Sequence, residues 1–478
     1  MPPRPPLWTA RDAIAASGAR AVGAAGWEAA GVSIDSRTLR PGDLFVAIRG
    51  ESMDGHAFVG RAFAAGAAAA LVAASQAEAL DATGPLLVAD DTLAALVGLG
   101  RAARARATAR IVAVTGSVGK TSTKDALRHV LSAQAPTHGA DASHNNHIGV
   151  PLTLARLPPS TRYAVCEIGT NHPGEIEPLA RMTAAHVGVI TTIAGVHLEH
   201  FGTEAAIAEE KARIFAGMAG GTAVLPRDNP HFGTLAARAR AEGVARVVGF
   251  GRHADAEFRL LDCALDAAGS DVRSLVDGRE LRYRVGAPGA HWAMNAQAVL
   301  AAVAALGADP VAAAAALESV SAPAGRGARR RVAFGGGEIE LVDESYNASP
   351  VAVRAMLAVL ATTTPGPGGR RLLVLGDMLE LGADAEALHV GLAPDIAAAG
   401  VDAVFTAGPN MAALSRALPA GLRAAHAPDS ARIAQRVVEA LRPGDVVAVK
   451  GSLGSRMKVV VDAILALGGT APRATGRV

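Results

Sequence analysis

Residues 111–134 constrain this chain more than any other stretch. Ile111-Val-Ala-Val is an apolar run suited to a buried strand, and Thr115-Gly-Ser-Val-Gly-Lys-Thr-Ser follows it directly. A helix is expected from Lys120 to Gln134. Glycines at 116 and 119 let the backbone fold around an anion, which then faces amide N–H groups and the helix N-terminus. The Lys120 amine can reach the β- and γ-phosphates of a nucleotide, and the Thr121 hydroxyl can ligate Mg2+. The loop is one residue shorter than the usual G-x-x-x-x-G-K-[ST], because Thr115 stands where the first Gly would be. A plain glycine turn needs no Lys and no Thr between strand and helix. Thr115, Gly116, Ser117, Val118, Gly119, Lys120, Thr121 and Ser122 are therefore read as an ATP site.

That unit cannot be the whole molecule. At 478 residues, and about 150 per domain, three domains are expected. Strand and helix patterns alternate on both sides of it, which predicts an α/β protein with parallel sheets. Boundaries fall at 1–92, 93–322 and 323–478, the second at the linker-like Ser321-Ala-Pro-Ala-Gly-Arg-Gly. In the first unit Asp43 to Ile48 reads as a strand and Phe58 to Ala70 as a helix, followed by a helix from Leu93 to Arg110. The second continues with strands at Tyr163–Ile168 and Val187–Thr192, a helix from Glu204 to Met218, short strands between Val247 and Val285, and a helix from His291 to Leu306. In the third, strands at Glu338–Val342, Arg371–Leu375, Ala403–Thr406 and Val446–Val449 suggest a small doubly wound domain.

A formal charge of +2 without long runs of one sign argues against a nucleic-acid partner. Apolar runs such as Ala67–Ala74 are far short of the roughly 20 residues a membrane helix needs. The start resembles no signal peptide, and Cys166 and Cys263 make no disulfide framework. A cytoplasmic monomer is expected. Only five lysines occur, Lys120, Lys124, Lys211, Lys450 and Lys458, among 46 basic residues. In a chain that uses Arg almost everywhere, a surviving Lys is a candidate for a place where a primary amine is required.

Three residues downstream of the ATP loop carry chemistry. Glu167 ends an apolar strand, where ligands sit in open α/β sheets, and offers oxygen to Mg2+. His197 lies in a loop after the next strand and could bind metal, although a lone loop His usually does not. Lys211 is the only lysine of its helix. Glu209 and Glu210 beside it suggest a surface ion pair, but an ε-amine also reacts with CO2 to give a carbamate, an oxygen donor for Mg2+.

Taken in order, several motifs resemble the Mur ligases of peptidoglycan synthesis. They are the ATP loop, Asn145-Asn-His-Ile-Gly-Val-Pro-Leu-Thr-Leu, Glu167-Ile-Gly-Thr-Asn-His-Pro-Gly-Glu-Ile, His197-Leu-Glu-His-Phe-Gly, Lys211-Ala-Arg-Ile-Phe, His291-Trp-Ala-Met-Asn-Ala, Gly325-Arg, Asp343-Glu-Ser-Tyr-Asn-Ala-Ser-Pro and Leu375-Gly-Asp-Met-Leu-Glu-Leu-Gly. They span about Asp35 to Lys458. His147, Arg227 and Ser349 depart from the residues the family often has there, away from the phosphate loop.

The resemblance implies an N-terminal UDP-sugar-binding domain, a central P-loop ATPase-type domain and a C-terminal Rossmann-like domain. The implied reaction is ATP-driven addition of D-Ala-D-Ala to UDP-MurNAc-tripeptide through an acyl phosphate. By the same resemblance, Thr121 and Glu167 serve one Mg2+ ion, and His197 with carbamylated Lys211 a second. Asn295 contacts adenine, Arg326 a phosphate, and Asp343 the ribose or a hinge. Asp35, Ser36, Arg37, Gly55 and His56 hold the UDP-sugar. Asn145, Asn146, Tyr346 and Asn347 face the substrates, the last two the dipeptide. Other readings remain: a sister ligase that adds diaminopimelate, a folylpolyglutamate synthase, a P-loop switch or motor, or a binding protein without catalysis.

Overall fold

The computed structural model describes residues 5–24, 26–50, 53–80 and 84–468. The chain start at 1–4 and positions 469–478 of the expected third domain lie outside the described residues.

Three large sheets lie along the chain, besides a two-stranded antiparallel pair, Trp8–Thr9 with Glu28–Ala29. The first has five strands in the order Arg20–Val22, Leu86–Ala89, Ala69–Ala73, Asp43–Val46, Gly31–Ser33, parallel except for its Arg20–Val22 edge. Here the expected helix Phe58–Ala70 is corrected. The α-helix covers only Val59–Ala64, Gly66 turns with φ +92°, and Ala69–Ala73 is a buried strand. Alanine favours helix by a few tenths of a kcal/mol over most residues. Burial of Ala-Ala-Leu-Val-Ala between two neighbouring strands outweighs that preference. The helix Thr92–Arg106, capped by the Asp91 carboxylate, sends Leu96, Leu99 and Ala103 into the same core as Trp8 and Leu44, together with Leu152 and Ala155 of the next unit.

The second sheet has nine strands. Their order is Arg279–Val285, Ser270–Val276, Phe258–Leu265, Arg246–Gly251, Thr222–Pro226, Val187–Ile190, Arg110–Thr115, Tyr163–Glu167, Thr137–Gly139. The seven from Thr137–Gly139 to Phe258–Leu265 run parallel, and the last two strands, Ser270–Val276 and Arg279–Val285, return as antiparallel hairpins. Apolar side chains fill both faces: Val112, Val165 and Val189 pack under the helix Ala290–Ala305, and Ile111, Ala113 and Ile190 on the other side. From Tyr163–Glu167 the chain crosses Arg110–Thr115 to reach Val187–Ile190, so the loops leaving these strands diverge and open a crevice at their carboxyl ends. The expected helix Glu204–Met218 is shorter than predicted: it ends at Ala212 and tightens into a 3-10 turn over Arg213–Phe215.

The third sheet has six strands in the order Ala328–Phe334, Gly337–Glu344, Val446–Lys450, Arg371–Gly376, Ala403–Ala407, Arg423–Ala427, parallel apart from the first pair. Helices cover both faces. No helix among the described residues is long and apolar enough to cross a membrane.

Candidate active site

The loop after Arg110–Thr115 is built as its sequence requires. Gly116 has φ +145° and Gly119 φ +88°. A methyl group on Gly116 would sit 2.0 Å from the Thr191 hydroxyl. That hydroxyl donates to Val118 O at 2.6 Å and so holds the loop against the strand Val187–Ile190. Ser117 adds a second tie, its N–H donating to Thr192 O at 2.8 Å and its Oγ to Ala194 O at 2.9 Å. The helix Lys120–Ser132 then begins without any side-chain cap. Its first N–H groups and the positive end of its dipole are thereby available to an anion.

Lys120 arches over this loop and donates to Gly116 O at 2.7 Å. Burial lowers its pKa to about 8, with Glu167 opposing the shift and Arg326 adding to it. Thr121 Oγ1 donates to Glu167 Oε1 at 3.2 Å, and Asn145 Nδ2 donates to the same oxygen at 2.7 Å. Glu167 is only 2 % exposed, and its other oxygen, Oε2, is buried without a hydrogen-bond partner. A buried carboxylate oxygen left unpaired costs about 1–3 kcal/mol or more. A hydroxyl beside a carboxylate with a free oxygen is the donor chemistry that suits a hard divalent cation such as Mg2+.

Lys211 corrects the ion-pair expectation. The residue is 1 % exposed, and neither neighbouring glutamate serves it as a partner. Glu209 pairs with Arg238 at 2.6 Å. Glu210 accepts from the Gly174 and Ile176 N–H groups and so caps the helix Ile176–Thr183. The Lys211 amine has no hydrogen bond among the described residues. Its pKa lies well below the usual lysine value, through burial first and the nearby Lys120 charge second. His197, with φ +55°, faces Glu380 of the C-terminal unit through Nδ1. Burial lowers its pKa, Glu380 opposes that, and Lys120 and Lys211 add to it. Glu167, His197, Lys211 and Arg326 thus all lie within electrostatic reach of Lys120 although the five residues come from five segments.

Asn295, in the helix Ala290–Ala305, stands against Gly119: a methyl there would be 3.1 Å from its amide. Arg326 stacks over the Tyr346 ring at 4.2 Å. Asp343 braces the linker between the central and C-terminal units. Its carboxylate accepts from Gly325 N at 3.0 Å and from the Ser345 hydroxyl at 2.6 Å, and fixes the linker that carries Arg326. Ser122 is buried in the first turn after Lys120. Asn146 caps the helix Gly149–Ala155 by accepting from Gly149 N at 2.9 Å. Asn347 is exposed beside Tyr346.

The N-terminal residues form a separate group. Asp35 binds Arg37 through both carboxylate oxygens, with Ser36 buried between them. Gly55 lies so close to Ile48 that a methyl would meet its backbone at 2.8 Å. His56 is held from both sides, by Asp54 at Nδ1 and by the Ala73 N–H at Nε2, 2.9 Å away. Sequence reasoning assigned no role to Thr191 or Glu380. Thr191 carried no distinguishing signal, whereas Glu380 sits inside the Gly-Asp-Met-Leu-Glu-Leu-Gly motif and was available to it.

Comparison with known proteins gives the same organisation. Residues 28–109 match the Mur ligase family catalytic domain, 114–303 the Mur ligase middle domain, and 325–453 the Mur ligase glutamate ligase domain. The UDP-N-acetylmuramoyl-tripeptide–D-alanyl-D-alanine ligase of Escherichia coli is 35% identical over 91% of this chain and 93% of its own. That of Bacillus subtilis is 33% identical over 90% and 92%. A crystal structure of MurF from Acinetobacter baumannii superposes with a TM-score of 0.81 at 27% identity, covering 96% of this chain and 98% of that one. With all three units matched in order and a relative this similar along nearly its whole length, the chain belongs to the Mur ligase family.

Proposed function

We propose that this enzyme joins D-alanyl-D-alanine to UDP-N-acetylmuramoyl-tripeptide with consumption of ATP, giving the UDP-MurNAc-pentapeptide for peptidoglycan synthesis. One observation carries the reading: similarity to ligases of that name runs through the acceptor-side C-terminal unit as well as the ATP loop. A P-loop switch or motor has no need of that third unit, and a binding protein has no need of Lys120, Thr121 and Glu167 together.

The chemical difficulty is that a carboxylate is a poor electrophile. Its oxygen takes the γ-phosphoryl group of ATP, ADP leaves, and the resulting acyl phosphate has a good leaving group. The dipeptide amine then attacks the carbonyl, loses a proton, and phosphate departs as the amide forms. Such catalysis is mainly positioning and charge stabilisation. Lys120 and the loop amides hold the phosphates. Thr121 and Glu167 would hold Mg2+, which offsets phosphate charge when bound. Asn295 and Arg326 hold the nucleotide from the helix and the linker. Asp35, Ser36, Arg37, Gly55 and His56 belong to the UDP-sugar side, Arg37 through its exposed guanidinium and His56 by bracing the loop. Asn145 keeps Glu167 in place, Asn146 shapes the substrate-side loop, and Tyr346 with Asn347 faces the dipeptide. Lys211 is proposed as a carbamate serving, with His197, a second Mg2+ ion. A cytoplasmic monomer fits substrates that are nucleotide-linked and small.

The test is ADP release across a panel of UDP-MurNAc-peptides and acceptors. D-Ala-D-Ala should stimulate it, and diaminopimelate or glutamate should not. Stimulation by either amino acid instead would move the enzyme to a diaminopimelate-adding or folylpolyglutamate-type activity.

A further inference from the structure

The loop that begins at His197 meets the C-terminal unit at one place. His197 Nδ1 faces the Glu380 carboxylate, Glu199 N donates to Glu380 O at 3.3 Å, and a methyl placed on Gly382 would lie 3.5 Å from Glu199 N. Both residues of the contact are conformationally unusual. Among the described residues five non-glycines have left-handed φ, and two of them, His197 at +55° and Glu380 at +62°, face each other here. Such backbone persists where surrounding structure over-determines it and clusters at functional contacts. As adhesive the pair is poor, because the Glu380 side chain is 40 % exposed and exposed pairs contribute little. What the contact does fix is orientation. A carboxylate at Nδ1 selects the tautomer with its proton there and leaves Nε2 as the nitrogen with a lone pair. Nε2 has no hydrogen-bond partner among the described residues. The other titratable side chains near the imidazole, Lys120 and Lys211, come from the central unit, and Glu380 is the carboxylate that the C-terminal unit brings to that side.

We propose that Glu380 is a positioning residue for ligation: by gripping His197 Nδ1 from the C-terminal unit, it sets the imidazole's orientation and makes that orientation conditional on docking of the two units. His197 is then aligned only when the unit on the dipeptide side is seated, so phosphoryl transfer is discouraged while the acceptor side is open. This rests on the ligase reading above.

The experiment compares full-length wild type with Glu380→Ala, Glu380→Gln and Glu380→Asp, with His197→Ala as partner for a double mutant. Glutamine keeps an acceptor oxygen at the same reach, whereas aspartate falls short. Loss of a residue that orients a functional histidine typically costs about 10- to 100-fold. Glu380→Ala and Glu380→Asp should lose that much in kcat, with KM for the UDP precursor unchanged, while Glu380→Gln stays within about tenfold of wild type. Glu380→Ala added to His197→Ala should cost nothing further. Small-angle scattering with a non-hydrolysable ATP analogue and the UDP precursor should show Glu380→Ala more extended than wild type. Wild-type kcat and scattering in Glu380→Ala would overturn the proposal, as would a double mutant in which the two single losses multiply. Should the alanine variant fail to fold, the order of Gln above Asp decides, and the reverse order overturns it. A wild type without dipeptide-dependent ADP release would instead sink the ligase reading, while scattering still judges the docking contact.

Discussion

Replacing Gly116 by alanine probes the ATP loop more sharply than removing any charge, because the added methyl has nowhere to go. It would sit 2.0 Å from Thr191 Oγ1, 3.0 Å from Thr191 N and 3.1 Å from Thr192 N. Rotating the threonine relieves only the first contact and breaks its 2.6 Å bond to Val118 O. The φ of +145° adds strain of about 1–3 kcal/mol for a residue with a Cβ. The displaced hydrogen bond adds about 1 kcal/mol. Together these give roughly 2–4 kcal/mol, which in a unit of about 200 residues is a Tm lower by roughly 4–16 °C. A loop moved by about 1 Å should also weaken productive phosphate binding by about 100-fold. Gly119→Ala is the control. Its methyl would lie 3.1 Å from the Asn295 amide, and the backbone strain alone is about 1–2 kcal/mol. Thermal unfolding and ADP titration measure both variants. A Gly116→Ala protein with unchanged Tm and ADP affinity, or one less affected than Gly119→Ala, would refute the packing argument.

Lys120→Ala should fold and lose about 100- to 1,000-fold in turnover, and unaltered turnover would remove Lys120 from the phosphate site. The nucleotide-free wild type also has a pH signature. Lys120 titrates near 8 when folded and about 10.4 when unfolded. The unfolded chain therefore binds more protons in that window, so wild type should gain stability relative to Lys120→Ala as pH rises through it. Nucleotide affinity should fall over the same rise, as the amine loses its charge. Lys211→Arg should be nearly inactive in ADP release, and Lys211→Ala equally poor but partly restored by acetate. Normal activity of Lys211→Arg in CO2-depleted buffer would leave no place for a carbamate.

Much of this was legible before any coordinates. The strand, loop and helix around Lys120 could be read because each element states its own requirement: an apolar run, glycines at two turns, an amine and a hydroxyl at fixed spacing. Glu167 was legible as a strand-end acid. Its buried, partnerless Oε2 was not, since that depends on Asn145 and Thr121 occupying the other oxygen. The helix expected over Ala67–Ala70 failed because alanine runs are ambiguous: sheet neighbours distant in sequence decide them. Asp343 could be named but not given one role, because whether its carboxylate faces a ligand or the Gly325 amide depends on how the linker folds back.

The scarcity of lysine selects for something narrower than catalysis. Lys124 is fully buried, yet its amine donates to Ala140 O at 2.9 Å and pairs with Asp125 at 2.6 Å. Lys450 is buried and pairs with Glu344 at 2.9 Å across two adjacent parallel strands. These amines are structural: a compact head fits where a guanidinium would need room for five donors. Lys458 lies on the surface beside Asp462. What sets Lys211 apart is therefore not burial or rarity but that, among the described residues, its buried amine has no acceptor. A fully buried ammonium without a partner is among the costliest arrangements a fold can hold, and the usual escape is to lose the proton. A neutral amine is the form that adds CO2, and a carbamate at Lys211 would be an anion that Lys120 attracts. The modification would turn an unpaired base into a paired acid with no change in the surrounding backbone, whereas an arginine there would keep its charge and could neither lose it nor invert it.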